Sequence, residues 1–416
     1  DWDLTTNATP EQILSLFPDG FYDNKFGTVG VPTEIDKKKQ IVEITTFRTE
    51  HGYTDRRRPD AVQWGKSIEE DLSRRDFTVN AIALQLITNN SQLITNIVDP
   101  FSGQKDLENK IVRAVRDPKT RFKEDALRLM RGVRIATEYS FSIEEKTWEE
   151  IVKDSKLITN ISGERIRIEL MRILASNYSY EGIMLSKNAG LLTYILPEVI
   201  GGIGISQTRP GRHHVDDVFT HNLLSLKFCP SKDPIVRFAT LLHDVGKPNV
   251  QALDEHGLVT FHNHEIVGSR IAEKVCERLK FPRYDRDKIV NLIRWHMFTV
   301  DEKITDAAVR RFIRRVGVAN VQDMMDLRIG DRLGGGTQTA QSWRLKLFKK
   351  RVEDQMKPLP FSINDLAIDG NDVMKALGIK PGPKVGEILQ KIFEEVDEDL
   401  SKNNRDYLIK KIKELK

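Results

Sequence analysis

The chain begins Asp1-Trp2-Asp3-Leu4-Thr5-Thr6, and the interpretation of the rest of the sequence starts from this stretch. Two carboxylates one residue apart on a β-strand project from the same face of a sheet. A magnesium ion can bind between them, because it takes one or two protein carboxylates together with substrate phosphates. The stretch predicts that Asp1 and Asp3 form part of a phosphoryl-transfer site, although such a pair alone also fits a solvated strand end.

Length and composition set the broad class. A chain of 416 residues is too long for one hydrophobic core and should divide into two to four domains. Hydrophobic residues make up 39%, with no run of eighteen apolar residues, which predicts a soluble globular protein. Cys229 and Cys276 are too few for a disulfide framework, so we expect a cytoplasmic location. The net charge of +4 permits a basic face for a polyanion but does not demand one.

The first 108 residues alternate short apolar runs with turns, as in an α/β layer. Strand-like runs cover 28–31, 40–47 and 93–98. Pro10–Leu16 should form a helix capped by Thr9, since proline is favoured at the first helical position. Glu43 should lie on a defined face of the second run, where a third carboxylate could complete the metal site. Alternatively, Glu43 is an ordinary residue on the polar face of the strand.

Arginines stand beside an acid in the run Arg74-Arg75-Asp76-Phe77. A guanidinium there could fork onto triphosphate oxygens while the acid fixes its orientation. After residue 108 the chain is predicted to be largely helical. Over 122–134, Leu127, Met130 and Val133 form the expected buried stripe.

The opposite side of that helix would carry charged residues: Asp125, Arg128, Arg131 and Arg134. A carboxylate acceptor beside a guanidinium donor can pair with the edge of a nucleobase. A surface salt bridge with solvated arginines is the alternative.

Taken in order, the motifs resemble those of bacterial class II tRNA nucleotidyltransferases, the CCA-adding enzymes and their poly(A) polymerase relatives in the DNA polymerase beta superfamily. The matching pieces are Asp1-Trp2-Asp3, the strand 42–48, Arg57-Arg58-Pro59, the segment 74–81, the turn 99–107, Glu124-Asp125-Ala126-Leu127-Arg128 and Ser162-Gly163-Glu164-Arg165. The match covers roughly the first 175 residues.

The resemblance implies a role for each of these site residues. Asp1 and Asp3 would bind magnesium, with Glu43 as a third carboxylate. Arg75 would contact nucleotide, and Asp125 and Arg128 would select CTP and ATP. Arg131 and Arg134 would meet phosphate. Because family members carry a glycine-rich turn before the metal motif and this chain starts after it, we expect the sequence to be either a fragment or the product of a truncated gene prediction.

Most histidines of the sequence fall between His213 and His296. The predicted metal ligands among them and the nearby acids are His221, His243, Asp244, His264, His296 and Asp331. Imidazole and carboxylate ligands together suit a divalent transition metal that activates water for hydrolysis. The set resembles the HD phosphohydrolase superfamily, and an HD fold without metal chemistry is the alternative. The remaining members, His213, His214, His256 and His262, are interpreted as ordinary loop or helix residues.

The sequence as a whole predicts an α+β fold. A nucleotidyltransferase head with a polymerase-beta-like palm would occupy 1–115, a helical neck 116–205, an HD domain 206–345 and a helical tail 346–416. The expected function is magnesium-dependent, template-independent addition of CCA to tRNA from CTP and ATP. Three alternatives stay open: an A-adding enzyme or poly(A) polymerase, an HD phosphohydrolase with a degenerate tRNA-binding head, and an RNA-binding protein without activity.

Overall fold

The computed structural model describes residues 4–24, 27–35, 38–51, 61–65, 67–89, 92–207, 217–337, 339–356 and 362–415. Asp1 and Asp3 therefore lie outside the described residues, as does the Arg-Arg-Pro loop. The chain divides into two compact units. The first runs to Ile203 and also takes in Lys232–Pro234 and Lys274–Arg283, and the rest of the chain from Gly204 forms the second.

A four-stranded sheet opens the first unit. Its strands are β1 (Leu4–Thr6), β2 (Phe21–Asn24), β3 (Thr28–Ile35) and β4 (Lys38–Thr46). Their order in the sheet is β1-β4-β3-β2, with β1 parallel to β4 and the other pairs antiparallel. The helix α1 (Pro10–Leu16) connects β1 to β2 and begins at a capping box, in which the side chains of Thr9 and Gln12 each accept the other's backbone N–H.

The two faces of this sheet differ in exposure. Val29 and Val31 of β3 are buried and pack with Ile13 of α1. Since side chains alternate along a strand, Gly30 and its partner Glu43 on β4 belong to the other face. The helix therefore covers one face, and Glu43 is exposed on the opposite one.

The other strands of the first unit pair in twos: β5 (Arg48–His51) with β6 (Ala61–Trp64), β7 (Ala83–Asn89) with β8 (Gln92–Val98), and β9 (Ile111–Val112) with β10 (Ser142–Ile143). The helices of this unit after α1 are α2 (Ile68–Ser73), α3 (Gly103–Glu108), α4 (Pro118–Glu124), α5 (Leu127–Tyr139), α6 (Glu145–Asp154), α7 (Gly163–Ala175), α8 (Ser179–Asn188), α9 (Leu191–Ile195) and α10 (Pro197–Ile200). The predicted change from an α/β layer to helices is confirmed.

Helices dominate the second unit as well. They are α11 (Val218–Phe228), α12 (Pro234–Leu242), α13 (Lys247–Val250), α14 (His264–Arg278), α15 (Arg283–Trp295), α16 (Asp306–Val316), α17 (Val321–Gly334), α18 (Trp343–Gln355), α19 (Gly370–Leu377), α20 (Pro383–Glu398) and α21 (Arg405–Glu414). One short hairpin, β11 (Ala252–Leu253) with β12 (Val259–Thr260), precedes α14.

Two glycines let α17 lie against α11. A Cβ atom on Gly330 would lie 2.5 Å from the carbonyl oxygen of Ser225, and one on Gly334 would collide with the same serine. Asp331 follows Gly330 directly, so this close approach carries its carboxylate toward α11. As a result, Asp331 lies close to His221, a residue of α11.

The α+β fold class is confirmed. The structure divides into two compact units. This division does not test the finer boundaries of the four predicted domains, which stay a prediction. Within the described ranges, no helix combines the length and the apolar character that crossing a membrane requires.

Candidate functional site

Of the three carboxylates predicted to bind magnesium, Glu43 is the one that lies among the residues the structure describes. Its partner across the strand pair is Gly30, which in turn pairs with Phe21 of β2. A Cβ atom on Gly30 would lie 2.5 Å from the Phe21 ring, so only glycine lets that ring lie over the strand here. On the other side of β4, Ile44 pairs with Leu4, the first described residue of β1. Glu43 is exposed on the face of the sheet opposite α1, where the Phe21 ring covers its partner Gly30.

The arginine pair after α2 is held by a buried acid. Asp71 is fully buried, and its Oδ1 accepts from the Arg74 guanidinium, with Nη2 at 2.8 Å. Its Oδ2 lies 3.5 Å from Nη2 of Arg75. The predicted pairing of arginine with an orienting acid is thus present, although the acid is Asp71 of α2 rather than the adjacent Asp76.

The helix expected over 122–134 is interrupted at Asp125. α4 ends at Glu124, Asp125 has an extended backbone, and α5 begins at Leu127. The Asp125 carboxylate accepts a hydrogen bond from the Leu127 N–H at 3.1 Å and forms a bidentate salt bridge with Arg165 of α7. The expectation that Asp125 and Arg128 share one helix is therefore wrong. The predicted buried stripe of Leu127, Met130 and Val133 is confirmed.

Arg128 links α5 to the arginine pair. Its Nη1 donates to Glu124 at 2.7 Å and to the carbonyl of Arg121, and its Nη2 donates to the carbonyl of Arg74 at 3.0 Å. The Arg128 side chain is thus fixed against the segment that holds Arg75.

Arg131 and Arg134 differ in environment. Arg131 is partly exposed and donates to Asp76 at 2.5 Å. Burial raises the pKa of Asp76, but the charge of Arg131 and the hydrogen bonds from Asn80 and Arg131 together outweigh burial and hold that pKa below its usual range. Arg134 is only 5% exposed and donates to Glu169 and Glu138. Its buried, doubly paired guanidinium does not fit the phosphate contact expected of it.

The structure brings together all six residues predicted as metal ligands in the second unit, and we call them the histidine cluster. They are His221 of α11, His243 and Asp244 after α12, His264 at the start of α14, His296 after α15 and Asp331 of α17. Two overlapping groups have potential ligand atoms within 4.8 Å of one another: His221, His243 and Asp244, and Asp244, His264 and His296. Asp244 belongs to both groups.

Backbone carbonyls orient three of these imidazoles. Nδ1 of His243 lies 2.8 Å from the Thr240 carbonyl oxygen, and Nδ1 of His264 lies 2.8 Å from that of Phe261. His296 has the same arrangement with Ile293 at 2.7 Å. A histidine that donates through Nδ1 presents a lone pair at Nε2, which is the usual state of a metal-binding imidazole.

The Nε2 atoms of the cluster lie close to one another in pairs. Nε2 of His264 lies 3.3 Å from Nε2 of His296, and Nε2 of His221 lies 3.1 Å from Nε2 of His243. In the neutral imidazoles of His264 and His296 two lone pairs would repel, and a cation between them would relieve the repulsion. The residues present therefore fit a divalent metal, and imidazole with carboxylate suits a transition metal.

The charges in the cluster are strongly coupled. Burial lowers the pKa of His221, but its hydrogen bonds to Asp244 and Asp331 outweigh burial and raise that pKa to about 9. Burial, reinforced by His243, lowers the pKa of His296 to about 3. Burial raises the pKa of Asp244, yet its electrostatic interactions with His243 and Lys247 and its hydrogen bonds with His221 and His264 hold that pKa well below the usual range.

A cavity of about 440 Å³ opens beside the cluster. Cationic side chains border it: Lys247 forms an ion pair with Asp244 at 2.5 Å, and Nη1 of Arg328 donates to Asp331 at 2.8 Å. Sequence reasoning missed both residues, although Lys247 follows Asp244 by three positions. His262 also lines this cavity, so it is not simply a loop residue. His256 is exposed, and His213 and His214 lie outside the described residues.

Three family models match separate parts of the chain. The Poly A polymerase head domain matches residues 1–113. The Probable RNA and SrmB-binding site of polymerase A matches 140–200, and tRNA nucleotidyltransferase domain 2 matches 265–412.

Curated relatives extend the similarity over most of the chain. The A-adding tRNA nucleotidyltransferase of Deinococcus radiodurans is 34% identical over 378 residues, which cover 88% of this chain and 82% of the relative. The CCA-adding enzyme of Lactobacillus helveticus is 31% identical over 416 residues, covering 100% of this chain and 88% of the relative.

Solved structures show the same fold. The Bacillus stearothermophilus CCA-adding enzyme in complex with CTP has a TM-score of 0.67 at 24% identity, covering 99% of this chain and 87% of that one. The Thermotoga maritima CCA-adding enzyme complexed with tRNA has a TM-score of 0.53 at 17% identity, covering 99% and 86%.

Proposed function

We infer the function from one premise: this chain belongs to the tRNA nucleotidyltransferase family, which includes CCA-adding and A-adding enzymes. We propose that it adds CCA to the 3′ end of tRNA, using CTP and ATP without a template strand. The observation that carries this proposal is the 31% identity with a CCA-adding enzyme across the whole chain. The tRNA 3′-hydroxyl attacks the α-phosphate of the nucleotide, and pyrophosphate leaves.

The catalytic carboxylates of this proposal are Asp1, Asp3 and Glu43, which would hold magnesium. When bound, magnesium stabilises the negative charge that develops on the transferring phosphate and the departing pyrophosphate. The exposure of Glu43 on the sheet face opposite α1 supports this assignment, since a nucleotide can approach this side chain. The paired strand begins at Leu4, the residue that follows Asp3 in the sequence.

The nucleotide-binding residues of the proposal are Arg75, Asp125, Arg128 and Arg131. Asp125 and Arg128 would select CTP or ATP by pairing with the base edge. Their support is geometric: Arg165 holds the Asp125 carboxylate, and the Arg74 carbonyl holds the Arg128 guanidinium. Because Arg128 and Arg75 are anchored to the same segment, a base and its triphosphate can be bound together. Arg131 would contact phosphate.

Arg134 takes a different role in this proposal. Its two carboxylate partners, Glu138 and Glu169, lie on α5 and α7. It would position α5 against α7, the helix that carries Arg165, instead of touching phosphate itself.

A primer-extension assay tests the proposal. The chain is incubated with magnesium, labelled CTP or ATP, and tRNA that ends at the discriminator base, at C or at CC. Two additions of C followed by one of A are expected, and an Asp3→Ala variant that still folds should add nothing. If the chain adds no nucleotide by itself but does so when an upstream glycine-rich segment is attached, this segment is required for activity. Absence of addition with and without the segment would overturn the proposal.

An A-adding enzyme is the second candidate, because the Deinococcus radiodurans relative with 34% identity carries that name. The same assay separates the two candidates. An A-adding enzyme extends only tRNA that already ends in CC, whereas a CCA-adding enzyme extends all three substrates. A cytoplasmic location belongs to either proposal and can be checked by cell fractionation.

The histidine cluster supports a second activity, and we propose that it is an HD-type site for metal-dependent phosphoester hydrolysis. His221, His243, His264 and His296 would supply imidazole ligands, and Asp244 and Asp331 carboxylates. When bound, a divalent transition metal supplies an activated water for hydrolysis. Lys247 and Arg328 place positive charge at the cavity where a phosphoester would bind. Hydrolysis of bis-p-nitrophenyl phosphate that stops on chelation is expected; a metal-loaded chain that cleaves neither this diester nor 2′,3′-cyclic nucleotides would overturn the proposal.

A further inference from the structure

A second cavity, of about 330 Å³, lies next to the histidine cluster in the second unit. We call it the aromatic cavity, because its wall is formed by Trp295, Phe298, Phe312 and Phe348. Trp295 directly precedes His296 of the cluster in the chain. Met297 lines both this cavity and the one beside the cluster, so a single side chain borders the two spaces.

Three of the aromatic side chains pack against one another. The Phe298 ring stacks on Phe348 with centroids 5.4 Å apart, and Phe312 packs against both rings at 4.7 and 5.1 Å. Phe312 and Phe348 are buried, while Phe298 and Trp295 are only partly buried. Partly buried aromatic side chains in a cavity wall offer a large apolar contact area to a flat ligand.

The same cavity carries an excess of positive charge. Arg294, Arg311 and Arg315 line it, whereas Glu265 is the one carboxylate among the described lining residues. Arg311 also forms an ion pair with Glu398, at 2.7 Å. Two of these guanidiniums lie against the Trp295 ring, Arg294 at 4.4 Å and Arg315 at 4.8 Å from its centroid. Arg294 also lies 3.7 Å from Glu265. Among the residues that the structure describes, no carboxylate lies within 4 Å of the Arg315 guanidinium.

We propose that the aromatic cavity binds a nucleotide, with its base against Trp295 and Phe298 and its phosphate on Arg315 and Arg294. Aromatic faces and arginines together are the means by which proteins bind unpaired nucleotides. A purely apolar ligand would leave Arg315 without a counter-charge, and a simple anion would not use the rings. The nucleotide is either free or the terminal residue of a single-stranded RNA.

The position of the cavity suggests its use. A nucleotide bound here lies beside Met297, at the border of the cavity that contains Asp244 and Asp331. This use as a substrate subsite rests on the hydrolase function proposed above. Nucleotide binding itself does not depend on that function, because none of the residues proposed to bind the nucleotide belongs to the histidine cluster.

Photocrosslinking of the full chain tests the proposal at residue level. The probes are 4-thiouridine 5′-monophosphate and a single-stranded hexaribonucleotide with 4-thiouridine at its 3′ end, both used in EDTA. Crosslinked peptides are identified by mass spectrometry, so that binding in the first unit is recognised separately. We expect crosslinks on the peptide that contains Trp295 and Phe298. Crosslinks with both probes would show that a free nucleotide is sufficient for binding. Crosslinks with the oligonucleotide alone would show that the ligand is the end of an RNA strand.

Two variants and a control sharpen this test. Arg315→Ala and Arg315→Gln should each reduce the crosslink about fivefold, because the phosphate loses its unopposed cation. Arg270→Ala removes an exposed arginine of the same unit that does not line the cavity, and should leave the crosslink unchanged. Circular dichroism confirms that each variant is folded.

Two outcomes would overturn the proposal: no crosslink on this peptide with either probe, or equal crosslinking in the Arg315 variants and the control. Because EDTA removes metal from the histidine cluster, failure of the hydrolase activity cannot produce either outcome. Conversely, a crosslink without any hydrolysis would retain the binding site and reject only its use as a substrate subsite.

Discussion

The guanidinium of Arg165 forks across the carboxylate of Asp125, with Nη1 3.2 Å from Oδ1 and Nη2 2.7 Å from Oδ2. The two residues are 40 positions apart in the chain and join α7 to the junction between α4 and α5. A bidentate pair of this kind fixes the plane of the carboxylate as well as its position. The carboxylate proposed to read the nucleobase is therefore held in one orientation.

Replacing Arg165 with Gln should impair nucleotide choice more than it slows addition. The carboxylate of Asp125 keeps its charge but loses its fixed orientation, which is needed for hydrogen bonds to a base edge. Measured kcat/KM values for CTP and ATP on tRNA ending in CC should converge, with roughly tenfold less discrimination, equivalent to about 1.4 kcal/mol. Asp125→Ala should have the same effect.

Arg172→Gln is the matched control for this measurement. Arg172 lies on the same helix and also forms a bidentate salt bridge, with Glu138, but at an exposed position. Its replacement should leave discrimination unchanged. Retained fidelity in both the Arg165 and the Asp125 variants would exclude a base-reading role for Asp125.

The break at Asp125 shows where sequence reasoning reached its limit. The run Lys-Glu-Asp-Ala-Leu-Arg consists largely of residues with good helix propensity, so an uninterrupted helix was the reasonable prediction. In the structure the Asp125 side chain accepts from the Leu127 N–H and from Arg165. The first contact competes locally with the helix, while the second comes from a residue 40 positions away. A pattern within one segment does not contain that second contact.

The histidine cluster was more predictable, because its ligand types are rare and were clustered in the sequence. All six residues meet in the fold, and the capped helix Pro10–Leu16 has its predicted bounds. The carbonyls of Thr240, Phe261 and Ile293 that orient the imidazoles could not be predicted, since every residue has a carbonyl. Likewise, the pairing of Arg134 with Glu169 depends on how α5 packs against α7.

Asp244→Asn should remove tightly bound transition metal from the purified chain. Asp244 belongs to both possible ligand groups, and an amide is a weaker ligand than a carboxylate. Metal content measured by inductively coupled plasma mass spectrometry should fall well below that of the unchanged chain, and phosphoester hydrolysis should be lost. CCA addition should persist, because its proposed catalytic residues lie in the first unit.

His256→Ala is the control for metal content. His256 is exposed and lies outside the cluster, so its loss should not change the metal bound. Equal metal content in all three proteins would show that the cluster is not a metal site.

Arg131→Gln should make the first unit more sensitive to acid. The folded pKa of Asp76 lies below its unfolded value of 3.8, because the charge of Arg131 and the hydrogen bonds from Asn80 and Arg131 outweigh burial. A carboxyl with a depressed folded pKa contributes stability above its unfolded pKa, and that stability is lost as pH falls through the folded pKa. Without Arg131, burial raises the folded pKa, so stability is lost at a higher pH.

Circular dichroism during acid titration gives the readout for Arg131. The unfolding midpoint should move to higher pH, and the free energy of unfolding at pH 7 should fall by about 1–2 kcal/mol, allowing for the partial exposure of Arg131. Lys153→Gln, which removes an exposed pairing with Glu150, should leave the midpoint where it is. An unchanged midpoint in Arg131→Gln would contradict the role of this pair.

Asp397→Asn should destabilise the second unit. Asp397 of α20 is almost fully buried and accepts hydrogen bonds from Arg310 and Arg314 of α16, with Nε of Arg310 at 2.8 Å. Asparagine preserves the shape but removes the charge, which leaves the buried Arg310 without a counter-ion. Breaking a buried pair in this way costs about 3 kcal/mol. Urea denaturation followed by circular dichroism should show the loss as a lower unfolding midpoint.

The adjacent residue provides the control for Asp397. Glu398 forms an ion pair with Arg311 at 2.7 Å, but both side chains are about half exposed. Exposed pairs contribute less than about 1 kcal/mol, so Glu398→Gln should shift the unfolding midpoint little. The two residues are neighbours on one helix, and both form ion pairs with α16. A difference between the two variants in the unfolding midpoint therefore reflects the burial of the ion pair and not its mere presence. Equal effects of the two substitutions would mean that burial of Asp397 does not determine its contribution.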